Sequence, residues 1–178
     1  MHYRTLGRTG LRVSEIGFGG ISVGRPRWGV AGPGDRPELD EAEAIRAIYR
    51  ALDLGINFFD TAPNYGNRES ERVLGKALKG RRDQCLIATK CGHFFSPEKS
   101  YIKDHAPELS ARSIDDSLRT MGIETLDLIQ IHSAPPEVVA EYRRRFSRRG
   151  QRGKINPGEP ADEPRIIEGE YEVRDKRD

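Results

Sequence analysis

Apolar residues keep two rhythms along this chain, short dense runs of β-forming side chains and longer stretches in which they return every third or fourth position. Residues 3–14 place two short segments around Gly7-Arg8-Thr9-Gly10, which predicts a hairpin capping the N-terminus. Residues 13–20 read as a first core strand ending in glycines, followed by a Pro- and Gly-rich loop over 22–37. Asp40 and Glu43 have capping-box spacing, and Ile45, Ile48, Tyr49 and Leu52 recur at helical intervals until Gly55 stops the helix. Ile56, Phe58 and Phe59, bounded by Gly55 and Pro63, form a second strand that delivers Asp60 at its carboxyl end. Asn67 is placed to cap a second helix with Val73, Leu74, Ala77 and Leu78 inward and Gly80 closing it. Residues 85–90 form a third strand ending on Lys90. After a loop over 92–109, Ser110 caps a third helix whose Ala111, Ile114, Leu118 and Met121 share a face, and Gly122 ends it. Residues 126–132 make a fourth strand ending on His132, and Pro136 opens a fourth helix carrying Val138, Tyr142 and Phe146, with Gly150 as its stop.

Strands and helices that alternate in this way form an α/β fold of parallel strands with right-handed crossovers, so the carboxyl ends of the strands collect on one side. Asp60, Lys90 and His132 then terminate successive strands on that side, with Tyr65 in the loop beyond Asp60. Each has an ordinary reading by itself: a turn starter, a surface charge, a hydrogen-bonded histidine, a half-buried aromatic. Their coincidence on the face where parallel α/β folds build active sites points to chemistry there.

Composition narrows the picture. Of 178 residues, 35% are hydrophobic and 33% charged, polar for a globular chain, so part of the chain is expected not to pack. With 30 basic against 28 acidic residues, no affinity for nucleic acid is expected. Arg143, Arg144, Arg145, Arg148, Arg149, Arg152 and Lys154 form a basic block that reads mainly as the solvated face of the fourth helix. No apolar run reaches membrane-spanning length and none resembles a signal peptide, so we expect no membrane partner and a cytoplasmic protein. Cys85 and Cys91, at the two ends of an extended segment, stand about 20 Å apart and are expected to be reduced. Cys91-Gly92-His93 is followed by no second ligand pair at suitable spacing, so no metal is expected. Gly17-Phe18-Gly19 begins a dinucleotide fingerprint, but Ser22 stands where its third glycine belongs and no helix is expected to open there.

The same stretches carry a family resemblance: Leu6-Gly7-Arg8-Thr9-Gly10, Gly55-Ile56-Asn57-Phe58-Phe59-Asp60-Thr61-Ala62, Tyr65-Gly66, Ser70-Glu71-Arg72-Val73-Leu74-Gly75, Ala88-Thr89-Lys90 and Leu126-Asp127-Leu128-Ile129-Gln130-Ile131-His132. In order and spacing the chain resembles the aldo-keto reductases, NADPH-dependent carbonyl reductases built on a parallel (β/α) TIM barrel, over about residues 1–155. The resemblance implies reduction of a small-molecule aldehyde or ketone by a tetrad of Asp60, Tyr65, Lys90 and His132. Tyr65 would donate the proton, Lys90 would stabilise the phenolate left behind, Asp60 would hold that ammonium, and His132 would orient the substrate carbonyl. It also implies that Gly20, Ile21 and Asp60 lie beside the nicotinamide end of NADPH (NADP), and that Trp28 and Phe94 line the substrate pocket.

Beyond Ile155 the pattern departs. Asn156-Pro157-Gly158-Glu159-Pro160 replaces the apolar residues of a fifth strand, and prolines do not serve a central strand. We therefore expect a half-barrel of four βα units over residues 1–155 and a polar, disordered tail over 156–178, with a short strand near Ile166-Ile167 as its one element. A shifted reading frame, a fusion junction and a natural truncation would each explain the break. The expected half lacks most of the family's cofactor contacts, and its two open sheet edges lead us to expect self-association. The alternative to a working reductase is a non-catalytic half-barrel kept as an interaction or assembly module.

Overall fold

The computed structural model describes residues 1–23, 40–96 and 101–150, the last six of them by backbone alone. Trp28, the tail from residue 156 and the side chains of the basic block from Arg145 onward lie outside the described residues. An antiparallel hairpin comes first, β1 (Tyr3–Thr5) paired with β2 (Arg12–Ser14), its turn running through Gly7 and Gly10 at positive φ. Side chains tie it to residues 55–57. Tyr3 Oη donates to the Gly55 carbonyl at 2.8 Å, and Asn57 accepts from Ser14 N at 2.7 Å while donating to the Arg12 carbonyl at 2.9 Å.

Then β3 (Phe18–Gly19), α1 (Glu41–Asp53), β4 (Phe58–Asp60), α2 (Glu69–Leu78) and β5 (Leu86–Cys91) follow in alternation. A small antiparallel pair, β6 (His93–Phe95) with β7 (Tyr101–Lys103), precedes α3 (Pro107–Met121), β8 (Leu128–Ile131) and α4 (Pro136–Gly150). Among the described residues, four core strands pair in parallel in the order β3-β4-β5-β8, and the sheet they form is not closed. Register sorts its faces. Phe18, Phe59 and Ile87 point toward the helices, where Ile48, Val73, Leu74, Ala77 and Leu78 complete the core. Phe58, Asp60, Leu86, Ala88, Lys90, Leu128 and Gln130 share the opposite, concave face.

Local chemistry explains the element ends. Asp40 caps α1 by accepting from Ala42 N, and Gly55, at φ +84°, closes it in a Schellman motif, with Gly55 N on the Leu52 carbonyl and Ile56 N on that of Ala51. Several expectations need correction. The run 13–20 is not one strand: Val13 and Ser14 belong to the hairpin, and only Phe18 and Gly19 join the core sheet before a three-residue 3₁₀ turn, Gly20–Ser22. Asn67 does not cap α2; it and Arg68 adopt positive φ and the helix begins at Glu69 without a side-chain cap. Ser110 lies inside α3, which starts at Pro107, because proline at the first helical position is pre-set for the helix. Tyr49 is at the surface beneath the Arg81 guanidinium, 4.7 Å from its ring centroid, rather than in the core.

Candidate active site

Each polar strand end sits where backbone pairing puts it. Asp60 closes β4, Lys90 lies one residue from the end of β5, and His132 follows β8 directly, its N–H extending the ladder to the Cys91 carbonyl at 2.9 Å. The loop carrying Tyr65 is held rigidly. Tyr65 N donates to the Ala62 carbonyl and Ser70 N to that of Tyr65, while buried Thr61 and Ser70 share a hydrogen bond of 2.8 Å beneath. Thr61, Ala62, Pro63 and Asn64 are all buried, so the phenol stands on packed ground.

These four side chains form an unbroken chain of contacts. Lys90 Nζ donates to Asp60 Oδ2 at 2.7 Å and to the Thr61 carbonyl at 2.8 Å. The same ammonium lies 4.8 Å from the centroid of the Tyr65 ring. Tyr65 in turn meets His132 edge to face, at 6.1 Å and 87°. Lys90 is only 12% exposed, so its carboxylate is needed: an enclosed ammonium left unpaired costs on the order of a few kcal/mol. The His132 imidazole is pushed down to about 4, first by burial and then by the neighbouring charge of Lys90, so the ring is neutral at ordinary pH.

Gly20 and Ile21 stand at the edge of this constellation. Gly20 is buried, and a Cβ on it would come within 2.8 Å of the Asp60 carbonyl and 2.7 Å of Ser70 Oγ. Gly19, paired in register with Asp60, has open space where its Cβ would be, and Ile21, two residues on, is 59% exposed. That leaves an uncrowded, partly apolar shelf beside Asp60. Phe94 follows His93 on β6 and points to the other side of that strand.

Sequence reasoning missed part of the site. Three of the chain's four histidines converge here: His93 stacks on His132 at 4.5 Å, and His105 Nε2 hydrogen-bonds the His132 carbonyl at 3.0 Å. The signals for them were slight: Cys91-Gly92-His93, set aside as a metal site for want of a second ligand pair, and a long loop with no periodic pattern. Gly92 shows why that loop is specific: at φ +94°, a Cβ there would overlap the His105 ring. Also unforeseen was a buried network behind the sheet, where fully buried Glu71 accepts from Thr89 Oγ1 at 2.7 Å and pairs with Arg68 at 3.0 Å. Both cysteines are free and buried, and burial pushes the Cys85 thiol up to about 11.

The profile described as Aldo/keto reductase family matches residues 15–157. L-galactose dehydrogenase of Arabidopsis thaliana is 39% identical over 132 residues, covering 72% of this chain and 37% of that protein. Aldo-keto reductase YhdN of Bacillus subtilis is 34% identical, covering 79% of this chain and 40% of that protein. Among solved structures, the holo form of aldo-keto reductase AKR11C1 from Bacillus halodurans superposes with a TM-score of 0.65 at 34% identity, over 82% of this chain and 47% of that one. The chain thus spans about two-fifths of the length of these curated relatives.

Proposed function

The chain belongs to the aldo-keto reductase family, and on that premise we propose that it reduces an aldehyde or ketone at the expense of NADPH, with Tyr65 as proton donor. Its fold is accordingly of the parallel β/α-barrel type, with four strands in an unclosed sheet. The observation that carries the reading is the continuous contact from Asp60 through Lys90 and Tyr65 to His132 at the carboxyl ends of parallel strands.

When bound, the nicotinamide supplies a hydride to the carbonyl carbon. The chain's own residues handle the oxygen. As negative charge grows there, the Tyr65 hydroxyl gives it a proton, so that the alcohol leaves neutral and the phenol is left as phenolate. Lys90, already against the Tyr65 ring, offsets that charge, and Asp60 keeps the ammonium from swinging away. Neutral His132 donates a hydrogen bond to the carbonyl oxygen and fixes its direction. Gly20, Ile21 and Asp60 would flank the nicotinamide, and Phe94 completes the reading as a pocket-lining residue. A non-catalytic module is not favoured, because an interaction surface alone gives no reason to enclose a lysine against a carboxylate and a phenol.

The test is consumption of NADPH by the purified chain at millimolar cofactor with a panel of simple aldehydes and ketones, against Tyr65→Phe. We expect turnover in the wild type and a fall of about 10²–10⁴ in kcat for the variant, with cofactor affinity nearly unchanged. Turnover retained in Tyr65→Phe, or absent from the wild type, overturns the reading.

A further inference from the structure

The histidine of the tetrad is oriented in an unusual way. Among the described residues no hydrogen bond reaches its ring: His105 bonds the His132 carbonyl, and His132 Nδ1 is sealed from solvent without a partner. What fixes the ring plane is His93, stacked on it at 4.5 Å and 23°. His93 is 4% exposed and anchored in turn, its Nδ1 sharing a hydrogen bond of 2.8 Å with the Tyr101 hydroxyl across the β6–β7 pair. Its Nε2 is likewise sealed without a partner.

A neutral imidazole carries one N–H. Burying that N–H without an acceptor costs about 1–3 kcal/mol, and orphaned buried donors are rarer than under-used acceptors. The proton of His132 therefore belongs on Nε2, the nitrogen that is not sealed, and Nδ1 keeps its lone pair. We propose that His93 is a positioning residue for His132: the Tyr101–His93 pair clamps the His132 ring from one face and keeps it neutral with its proton on Nε2, the form that donates to a carbonyl oxygen. The proposal rests on the reading of His132 as the group that orients the substrate.

The surroundings agree. The groups facing the stacked pair are Lys90 from β5, Tyr65 from the loop after β4, Lys103 from β7 and His105 ahead of α3, with Asp60 already engaged by Lys90. Both imidazoles are pushed down to about 4, by burial first; Lys90, His105 and Lys103 then act on His132, while His132, His105 and Lys103 act on His93. A second proton on either ring would be both desolvated and repelled.

The experiment is a pH titration of the ¹⁵N-histidine-labelled chain followed by long-range ¹H–¹⁵N correlation, which reads the tautomer and midpoint of each imidazole without any turnover. Wild-type His132 should show the Nε2–H tautomer and a midpoint near 4. His93→Ala should raise the midpoint by about one pH unit or more and mix the tautomers. His93→Phe, which restores a flat uncharged ring but not the hydrogen bond to Tyr101, should bring the midpoint only part of the way back. A wild-type midpoint near the ordinary 6.5, or a proton on Nδ1, overturns the proposal by itself, as does an unmoved midpoint in folded His93→Ala. Should His93→Ala fail to fold, Tyr101→Phe decides: loss of the anchor must move His132, and an unchanged signature counts against the clamp. A chain with the expected signature but no carbonyl reduction leaves the clamp standing and brings down the reductase reading alone.

Discussion

Two kinds of side chain make this protein sensitive to acid, and they act in different windows. His93 and His132 are pushed down from 6.5 to about 4, so between those values the unfolded chain binds protons that the folded one refuses. Their contribution to stability is complete above 6.5 and is lost as pH falls through 4. Glu41, drawn down from 4.5 to about 2 chiefly by its hydrogen bonds from Lys76 and Arg72, contributes above 4.5 and is lost as pH falls toward 2. The urea midpoint should therefore be level from pH 8 to 7, decline from 6.5 to 4, and decline again below 4.5. His93→Phe should shrink the first decline to the share His132 retains, and leave the second. A midpoint that stays level down to pH 4.5 would remove the imidazoles as a source of acid sensitivity.

At the scale of elements, the informative case is α3. The expected inward face, Ala111, Ile114, Leu118 and Met121, is rotated: Ser110, Ser113, Ser117 and Met121 are buried, while Ala111 is exposed. A serine stripe reads as polar in any hydrophobicity pattern, yet here Arg68 donates to Ser117 Oγ at 3.0 Å, and small side chains let α2 and α3 approach closely. They pack tightly at Gly75, where a Cβ would overlap the Met121 backbone. Gly75→Ala should lower stability by about 1–3 kcal/mol in urea unfolding, because helix backbone has no rotamer with which to yield. An effect below about 0.5 kcal/mol, the usual range of a neutral surface change, would show that the two helices slide freely. The rhythm of apolar residues was enough to place α1, β4, α2, β5, β8 and α4, since each carries apolar side chains at the period of its own element. The tetrad was legible because strand ends are fixed by the same rhythm. The β6–β7 pair and the clamp on His132 were not, because three-residue strands, polar stacking and buried serine–arginine contacts leave no periodic trace.

For the molecule as a whole, the sheet's outer strands decide behaviour. β8 is half-buried at all four residues, Leu128 to Ile131, and Gln130 Oε1 is sealed on the concave face without a partner. β3 contributes only two residues to the other side. An unclosed parallel sheet with such flanks offers backbone groups to a neighbour, so sizing experiments should show a dimer or larger species. NADPH at micromolar concentration should change fluorescence little, because every residue proposed above to meet the cofactor flanks its nicotinamide end. A monomer binding NADPH at micromolar affinity would defeat both expectations. The described helices include none long and apolar enough to cross a membrane.

The ties of the N-terminal hairpin have a consequence in time. Its partners lie far along the chain: Asn57 is 43 residues beyond Ser14, and Gly55 is 52 beyond Tyr3. At about 5–20 residues per second of synthesis, β1 and β2 leave the ribosome some 2–10 s before the residues that hold them exist. Three paired residues cannot wait that long as a stable unit. The hairpin thus waits for its anchors, and in a nascent chain it stays open and protease-accessible until α1 has turned its corner at Gly55.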